Sequence, residues 1–247
     1  MSWIAYGLRR GVLTTRYPFK PDSMPDAYRG AIDAFDATGD EQRSGAEKCL
    51  SQAIAQGAGR AVVDSLRCYQ CGECARTQPN AFRMSNRFEV AQVADNPDRM
   101  RALIRKRTRA WGKSVHLRHV DAGSDGSEEQ ELQAIFNPFY DANRLGIFLT
   151  ASPRHADILI VTGVVTKPMA EPLRRAYEAM PEPKMVVALG TSACSGGIFA
   201  QSDTVVGAVS TLLPVDVFVP GAPPAPLSIL HGLWVALGRA LGESGVP

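Results

Sequence analysis

The sequence has no apolar run near the roughly 18–20 residues that a membrane-spanning helix requires. Any contact with a bilayer is therefore expected to go through partners. The opening, Met1-Ser2-Trp3-Ile4-Ala5-Tyr6-Gly7, lacks the pattern of a signal peptide, so export is not expected. Excess charge of either sign is missing as well: 27 basic residues face 25 acidic ones, a formal net charge of +2. That balance gives no ground for nucleic-acid binding. Catalytic signatures are absent too. No nucleophile–base pair, phosphate-binding loop or catalytic metal motif stands out, so the chain alone is expected to catalyse nothing. Cysteine is scarce, with five in 247 residues. Yet four of the five, Cys49, Cys68, Cys71 and Cys74, fall close together, and only Cys194 lies apart. In a chain without an export signal this clustering favours metal binding over disulfides. The remaining composition, 45% hydrophobic and 21% charged, suits one large globular domain or two modest ones.

The tightest thiol spacing is Arg67-Cys68-Tyr69-Gln70-Cys71-Gly72-Glu73-Cys74. C-x2-C-x2-C lets three sulfurs curl around one inorganic core, and it opens the bacterial ferredoxin-type iron–sulfur motif. That motif continues x3-Cys-Pro. Here the continuation is Ala75-Arg76-Thr77-Gln78-Pro79, so the proline stands and the cysteine is glutamine. Upstream, Cys49-Leu50-Ser51-Gln52-Ala53-Ile54 resembles the end of the first motif of two-cluster ferredoxins, with leucine for proline. Counting back by that motif's spacing puts its other ligand positions at Gly39, Gln42 and Gly45. In such ferredoxins the fourth cysteine of one motif serves the other motif's cluster. The quartet that would share one cluster, Cys49, Cys68, Cys71 and Cys74, is intact. The quartet of the second cluster (positions 39, 42, 45 and 78) is gone. The expected cofactor is one [4Fe–4S] cluster on these four cysteines. Zinc on the same cysteines is the alternative, although zinc sites usually pair C-x2-4-C knuckles.

Residues 1 to about 48 show little regular pattern. Prolines at 18, 21 and 25 suggest an extended arm laid over another surface, or else a partly disordered tail. Arg87-Phe88-Glu89-Val90-Ala91 is expected as a short closing strand. Arg99 to Lys113 is a basic run with few apolar members. It suits a solvated linker helix or, more pointedly, a docking stripe for an acidic partner subunit. From Ser114 strands and helices alternate. Strands are expected at 115–120, 145–150, 156–163, 185–190 and 215–221, and helices at 128–136, 167–180 and 226–241. In the last helix Ile229, Leu230, Leu233, Trp234 and Leu237 are expected to face inward. The nearly continuous apolar runs imply strands buried on both faces, hence a parallel α/β sheet.

Several segments carry a family resemblance. They are Asn137-Pro138-Phe139-Tyr140-Asp141, Ser152-Pro153-Arg154-His155-Ala156-Asp157-Ile158-Leu159, Thr162-Gly163-Val164-Val165-Thr166, Ser195-Gly196-Gly197-Ile198-Phe199 and Val215-Asp216-Val217-Phe218-Val219-Pro220-Gly221. From about residue 113 the chain resembles the small electron-transfer subunit of group 4 energy-converting nickel–iron hydrogenases and formate hydrogenlyase, related to the B subunit of respiratory complex I. The first half resembles the ferredoxin-like subunit of the same assemblies, with Gly11-Val12-Leu13-Thr14-Thr15-Arg16-Tyr17-Pro18 similar to its opening arm. The chain thus resembles a fusion of two neighbouring subunits. This resemblance implies an α+β ferredoxin-like domain over 1–98, a basic linker over 99–113, and a flavodoxin-like α/β domain over 114–247. The family's small subunit holds a terminal cluster on four cysteines. Here those positions fall on Asp125, Glu128, Ser192 and Ala222, and Cys194 stands two residues out of register. The two carboxylates could hold a hard cation through oxygen; the plainer reading is a solvated or salt-bridged pocket. His155 reads as a structural loop residue.

The resemblance implies a peripheral subunit on the cytoplasmic face of the inner membrane. Its implied partners are a hydrogenase large-subunit-like (complex I D-subunit-like) protein and the membrane subunits of the same complex. With cluster ligands missing, a scaffold and coupling role is expected. Electron exchange between the single cluster and a partner redox protein is the alternative, and a purely structural cluster is a third possibility.

Overall fold

The computed structural model describes residues 3–11, 13–94 and 114–239. The basic run at 99–113 lies outside the described residues. The amino-terminal part contains helix α1 (Trp3–Arg10), strand β1 (Ile32–Ala34), helix α2 (Gly39–Lys48), strands β2 (Ile54–Ala55) and β3 (Val62–Val63), helix α3 (Glu73–Thr77), and strands β4 (Phe82–Met84) and β5 (Gln92–Val93). Two short antiparallel ladders, β1 with β4 and β2 with β3, enclose a small core of Ile54, Ala61, Ala81 and Phe82.

Two expectations for this part are corrected. Regular structure does occur before residue 48. Helix α2 starts on a capping box, in which the Thr38 hydroxyl accepts from Glu41 N–H and the Glu41 carboxylate accepts from Thr38 N–H. The closing strand is Phe82–Met84 rather than Arg87–Ala91. The latter segment forms no ladder because its apolar residues are used elsewhere: buried Phe88 packs edge-on against Tyr17, 5.2 Å between ring centroids. Residues 13–31 do run without helix or strand and lie across the carboxy-terminal part. Thr15 N–H donates to Phe139 O (2.8 Å), Thr14 Oγ1 to Pro138 O (3.0 Å), and Arg144 Nη2 to Tyr17 O (2.6 Å).

The carboxy-terminal part is built on apolar runs. It comprises β6 (Val115–Asp121), α4 (Ser127–Ala134), β7 (Ile147–Leu149), β8 (Ile158–Thr162), β9 (Val165–Thr166), α5 (Lys167–Glu178), β10 (Met185–Leu189), α6 (Thr191–Ser195), β11 (Val205–Gly207), β12 (Val217–Val219) and α7 (Pro226–Ala236). Every residue of β8 and β10 is buried, as strands covered on both faces require. The six-stranded sheet runs β5-β12-β10-β8-β6-β7. All its pairs are parallel except β5 with β12. The sheet therefore takes one outer strand from upstream of the expected boundary at 98. Successive side chains alternate between two cores. Ile158 and Ile160 face α4 and α7; Leu159 and Val161 face α5. Helix α7 is buried nearly all round, and Trp234, expected inward, is only half-buried.

Candidate metal centre

Three local structures bring the four cysteines together. Helix α2 ends at Lys48, and Cys49 caps it, its N–H donating to Ala46 O. The chain then turns so that Ala53 N–H points at Cys49 Sγ (3.3 Å). Cys68 and Cys71 stand in the loop after β3. Gln70 adopts a left-handed φ of 55°, which aims its N–H at Cys68 Sγ (3.4 Å). Gly72, at φ 77°, opens α3, which carries Cys74. Backbone N–H groups directed at sulfur suit thiolates, and such bonds tune iron–sulfur clusters. All five cysteines are free thiols.

Cys68 and Cys74 each lie within electrostatic reach of neighbouring cysteines. Burial pushes the Cys68 thiol up to about 12; the Gln70 N–H opposes this, and Cys74, Cys49 and Cys71 add to it. Burial likewise pushes Cys74 up to about 11, with Cys71 and Cys49 contributing. Thiols whose pKa is raised, as at Cys68 and Cys74, keep their protons unless a cationic core replaces them. Among the described residues, no group of three or more histidine, cysteine, aspartate or glutamate side chains is placed to hold a metal ion. One ion draws its sulfurs to about 2.3 Å from a common centre. A cubane takes one thiolate per iron and holds the four sulfurs further apart. Cys71 is exposed, at the wall of an open cleft of about 680 Å³ lined also by Arg29, Arg76, Phe82, Arg83 and Met84. Arg29 Nη1 donates to Cys71 O (3.2 Å).

Three of the four positions without cysteine are filled by protein contacts. Gln42 Nε2 donates to Ala37 O (3.0 Å) and Gly59 O (2.9 Å), and its Oε1 accepts from Gly57 N–H (3.1 Å). A Cβ at Gly45 would collide with the Phe82 ring. Gln78 Nε2 donates to Ser44 Oγ (2.9 Å). Gly39 begins α2, with no heavy atom near its Cβ direction.

In the carboxy-terminal part, the ends of β6, β8, β10 and β12 form the crevice where open α/β sheets place their sites. Asp125 is exposed and accepts from Ser127 N–H (3.0 Å) and Ser127 Oγ (2.6 Å). Glu128 is buried at 5% exposure, against Gly190, and burial raises its pKa. Ser192 is half-buried in α6 and Ala222 is exposed. Cys194 is buried and directed at Ala188 O (3.5 Å), away from them. His155 is exposed in a single helical turn, as a loop residue would be. The sequence reading missed a polar network beside this crevice. His119 Nε2 lies 2.9 Å from Thr162 Oγ1, which also contacts Glu129, and Ser124 Oγ donates to Glu129 Oε2 (2.8 Å). Burial lowers the His119 pKa, against the pull of Glu129 and Asp121. It also missed the role of Tyr69, which stands between Cys68 and Cys71 but makes its contacts far along the chain.

Residues 126–236 match the family model described as NADH ubiquinone oxidoreductase, 20 Kd subunit. An uncharacterized protein of Methanocaldococcus jannaschii is 44% identical over 150 residues, covering 58% of this chain and 98% of that protein. A Pyrococcus furiosus protein named "probable membrane-bound hydrogenase subunit" is 45% identical over 126 residues, covering 51% of this chain and 75% of its own length. Formate hydrogenlyase subunit 7 of Escherichia coli is 43% identical over 126 residues, covering 51% of this chain and 49% of that subunit.

Proposed function

We infer that this chain, which belongs to the NADH ubiquinone oxidoreductase 20 kDa subunit family, is a peripheral subunit of a membrane-bound, hydrogenase-related complex. It binds one [4Fe–4S] cluster through Cys49, Cys68, Cys71 and Cys74, and it acts mainly as a scaffold and coupling subunit. Its amino-terminal part, 1–98, is a ferredoxin-like domain fused through 99–113 to a small-subunit-like domain, 114–247. The observation that carries this reading is the sorting of contacts around the cysteines. Cys68 and Cys74 lie within electrostatic reach of the other cysteines, and Cys49 and Cys68 each receive a backbone N–H group. The vacated positions 42, 45 and 78 are taken up by hydrogen bonds and a packed ring.

A bound cluster would supply one-electron transfer. The protein's own part is to present four sulfurs, donate N–H groups to two of them and shield Cys68 and Cys74 from water. The carboxy-terminal crevice has no cysteine at 125, 128, 192 or 222, so no second cluster extends an electron path through it. The partners are a large-subunit-like protein and the membrane subunits of the complex, at the cytoplasmic face. No helix among the described residues is long and apolar enough to cross a membrane, which fits peripheral attachment.

The test is anaerobic iron and acid-labile sulfide content, with electron paramagnetic resonance, on wild type and Cys71→Ser. About four irons per chain are expected, lost or altered in the variant. Eight irons, or none, would overturn the reading. The cleft favours a second reading. Arg29, Arg76 and Arg83 surround the exposed Cys71, and only Glu73 offsets them, paired with Arg76 at 2.7 Å. This basic rim suits an acidic redox protein that exchanges electrons with the cluster. Slower exchange in Arg29→Glu/Arg83→Glu at low salt, with iron content unchanged, would support it; an unchanged rate would remove it.

A further inference from the structure

The crevice at the carboxyl ends of β8, β10 and β12 holds a piece of the chain itself. The loop bearing Cys68 and Cys71 enters it from the amino-terminal part, and Tyr69 leads. The Tyr69 hydroxyl lies 3.2 Å from Ser192 Oγ and accepts from Ile198 N–H, also at 3.2 Å. With that N–H donating, the phenol proton is free to go to Ser192. Gly197 lines the contact, and a Cβ there would collide with the Tyr69 hydroxyl. One residue back, Thr191 Oγ1 donates to Cys68 O (3.1 Å). Thr191 is fully buried, and its Oγ1 also accepts from Gly221 N–H (3.2 Å) at the end of β12. Three hydrogen bonds thus join two adjacent loop residues to α6 and the turn after it, across more than 120 positions of sequence.

This bracing bears on the sulfurs directly. Tyr69 stands between two of the cysteines, and the next residue, Gln70, holds the left-handed backbone that sends its N–H to Cys68 Sγ. A non-glycine residue in that region persists only where its surroundings fix it. The Tyr69 and Cys68 anchors lie on one side of Gln70, and Arg29 holds the Cys71 carbonyl on the other.

We propose that Tyr69 is a positioning residue, seated in the sheet's carboxyl-end crevice as in a socket, and that it sets the solvation and N–H bonding of the cluster held by the surrounding cysteines. The proposal rests on the reading that these cysteines hold a cluster. Its physical content is a potential. Reduction adds negative charge to the cluster, and hydrogen bonding and solvent exposure at the sulfurs help set the cost of that charge. Releasing the loop admits water to the Cys68 side and makes the reduced form easier to reach.

The experiment is a redox titration followed by electron paramagnetic resonance, with iron counted on the same samples of the full chain. Tyr69→Phe removes the hydroxyl and keeps the ring. Ser192→Ala removes the partner on a distant element. Each is expected to keep about four irons and to move the midpoint potential to more positive values. The double variant should shift no further than the larger single one, because both break the same bond. Tyr69→Ala should shift it furthest; if that variant does not fold, the two milder ones decide. Unchanged potentials in Tyr69→Phe and Ser192→Ala, with four irons retained, would overturn the proposal and leave the cluster assignment standing. A wild type without iron would remove both.

Discussion

Gln42, at a position where a two-cluster ferredoxin motif would carry a cysteine, offers a sharp test of how the amino-terminal part is held. Gln42 is buried at 3% exposure and makes three hydrogen bonds, to Ala37 O ahead of α2, to Gly59 O in the β2–β3 turn, and from Gly57 N–H. Gln42→Ala removes all three, although Gly59 O keeps the Ala37 N–H. At about 1 kcal/mol for each bond, the loss is roughly 3 kcal/mol, and more where water cannot reach the stranded groups. At 1.4 kcal/mol per decade, this corresponds to about a hundredfold in the opening equilibrium. Native-state hydrogen exchange reads it locally. Phe35 N–H, bonded to Ala81 O at 2.9 Å, reports the amino-terminal part. Gly190 N–H, bonded to Val219 O at 2.9 Å, reports the parallel sheet. Protection at Phe35 should fall by about two orders of magnitude and that at Gly190 by far less. A fall of under fivefold at Phe35, or an equal fall at both, would refute the claim that this network acts as the local brace.

Two further outcomes follow from burial. Glu128→Gln should raise stability at pH 7 and leave it unchanged near pH 4. Burial raises the folded-state pKa, so wild-type stability is full below the ordinary carboxylate value and declines as pH rises through the folded one. Urea denaturation at both pH values checks this, and a variant less stable at pH 7 contradicts it. Leu159→Ala, at a fully buried position between β8 and α5, should cost about 2–5 kcal/mol in the same assay; a loss below 1 kcal/mol would mean that the core facing α5 collapses to fill the gap.

The parallel sheet was legible because its chemistry is redundant. Ile158–Thr162 is apolar up to its last residue and Met185–Leu189 throughout, and runs of that length suit strands covered on both sides. The cysteine cluster shows in the sequence as the tight spacing of residues 68, 71 and 74; what those thiols hold is a proposal. Helix α2 was not, although Thr38 and Glu41 announce its start. Its ten residues, Gly-Asp-Glu-Gln-Arg-Ser-Gly-Ala-Glu-Lys, offer no apolar stripe, so periodicity has nothing to detect. Arg87–Ala91 misled for the opposite reason. Its alternation is real, but Phe88 and Ala91 join the core of the carboxy-terminal part instead of a ladder. Tyr69 and Ser192 carry no local signal, since what matters is a contact across 123 positions.

The pairing of β5 with β12 has a consequence for how the protein can be handled. Without residues 92–93, β12 would present a row of unpaired N–H and C=O groups beside buried Val217 and Val219. A fragment starting at 114 is thus expected to seek another chain's backbone and polymerise, visible as rising light scattering. Carrying residues 92–93 on the same polypeptide supplies that strand at high effective concentration from the moment of synthesis. Solubility of the carboxy-terminal part then does not wait on meeting another chain.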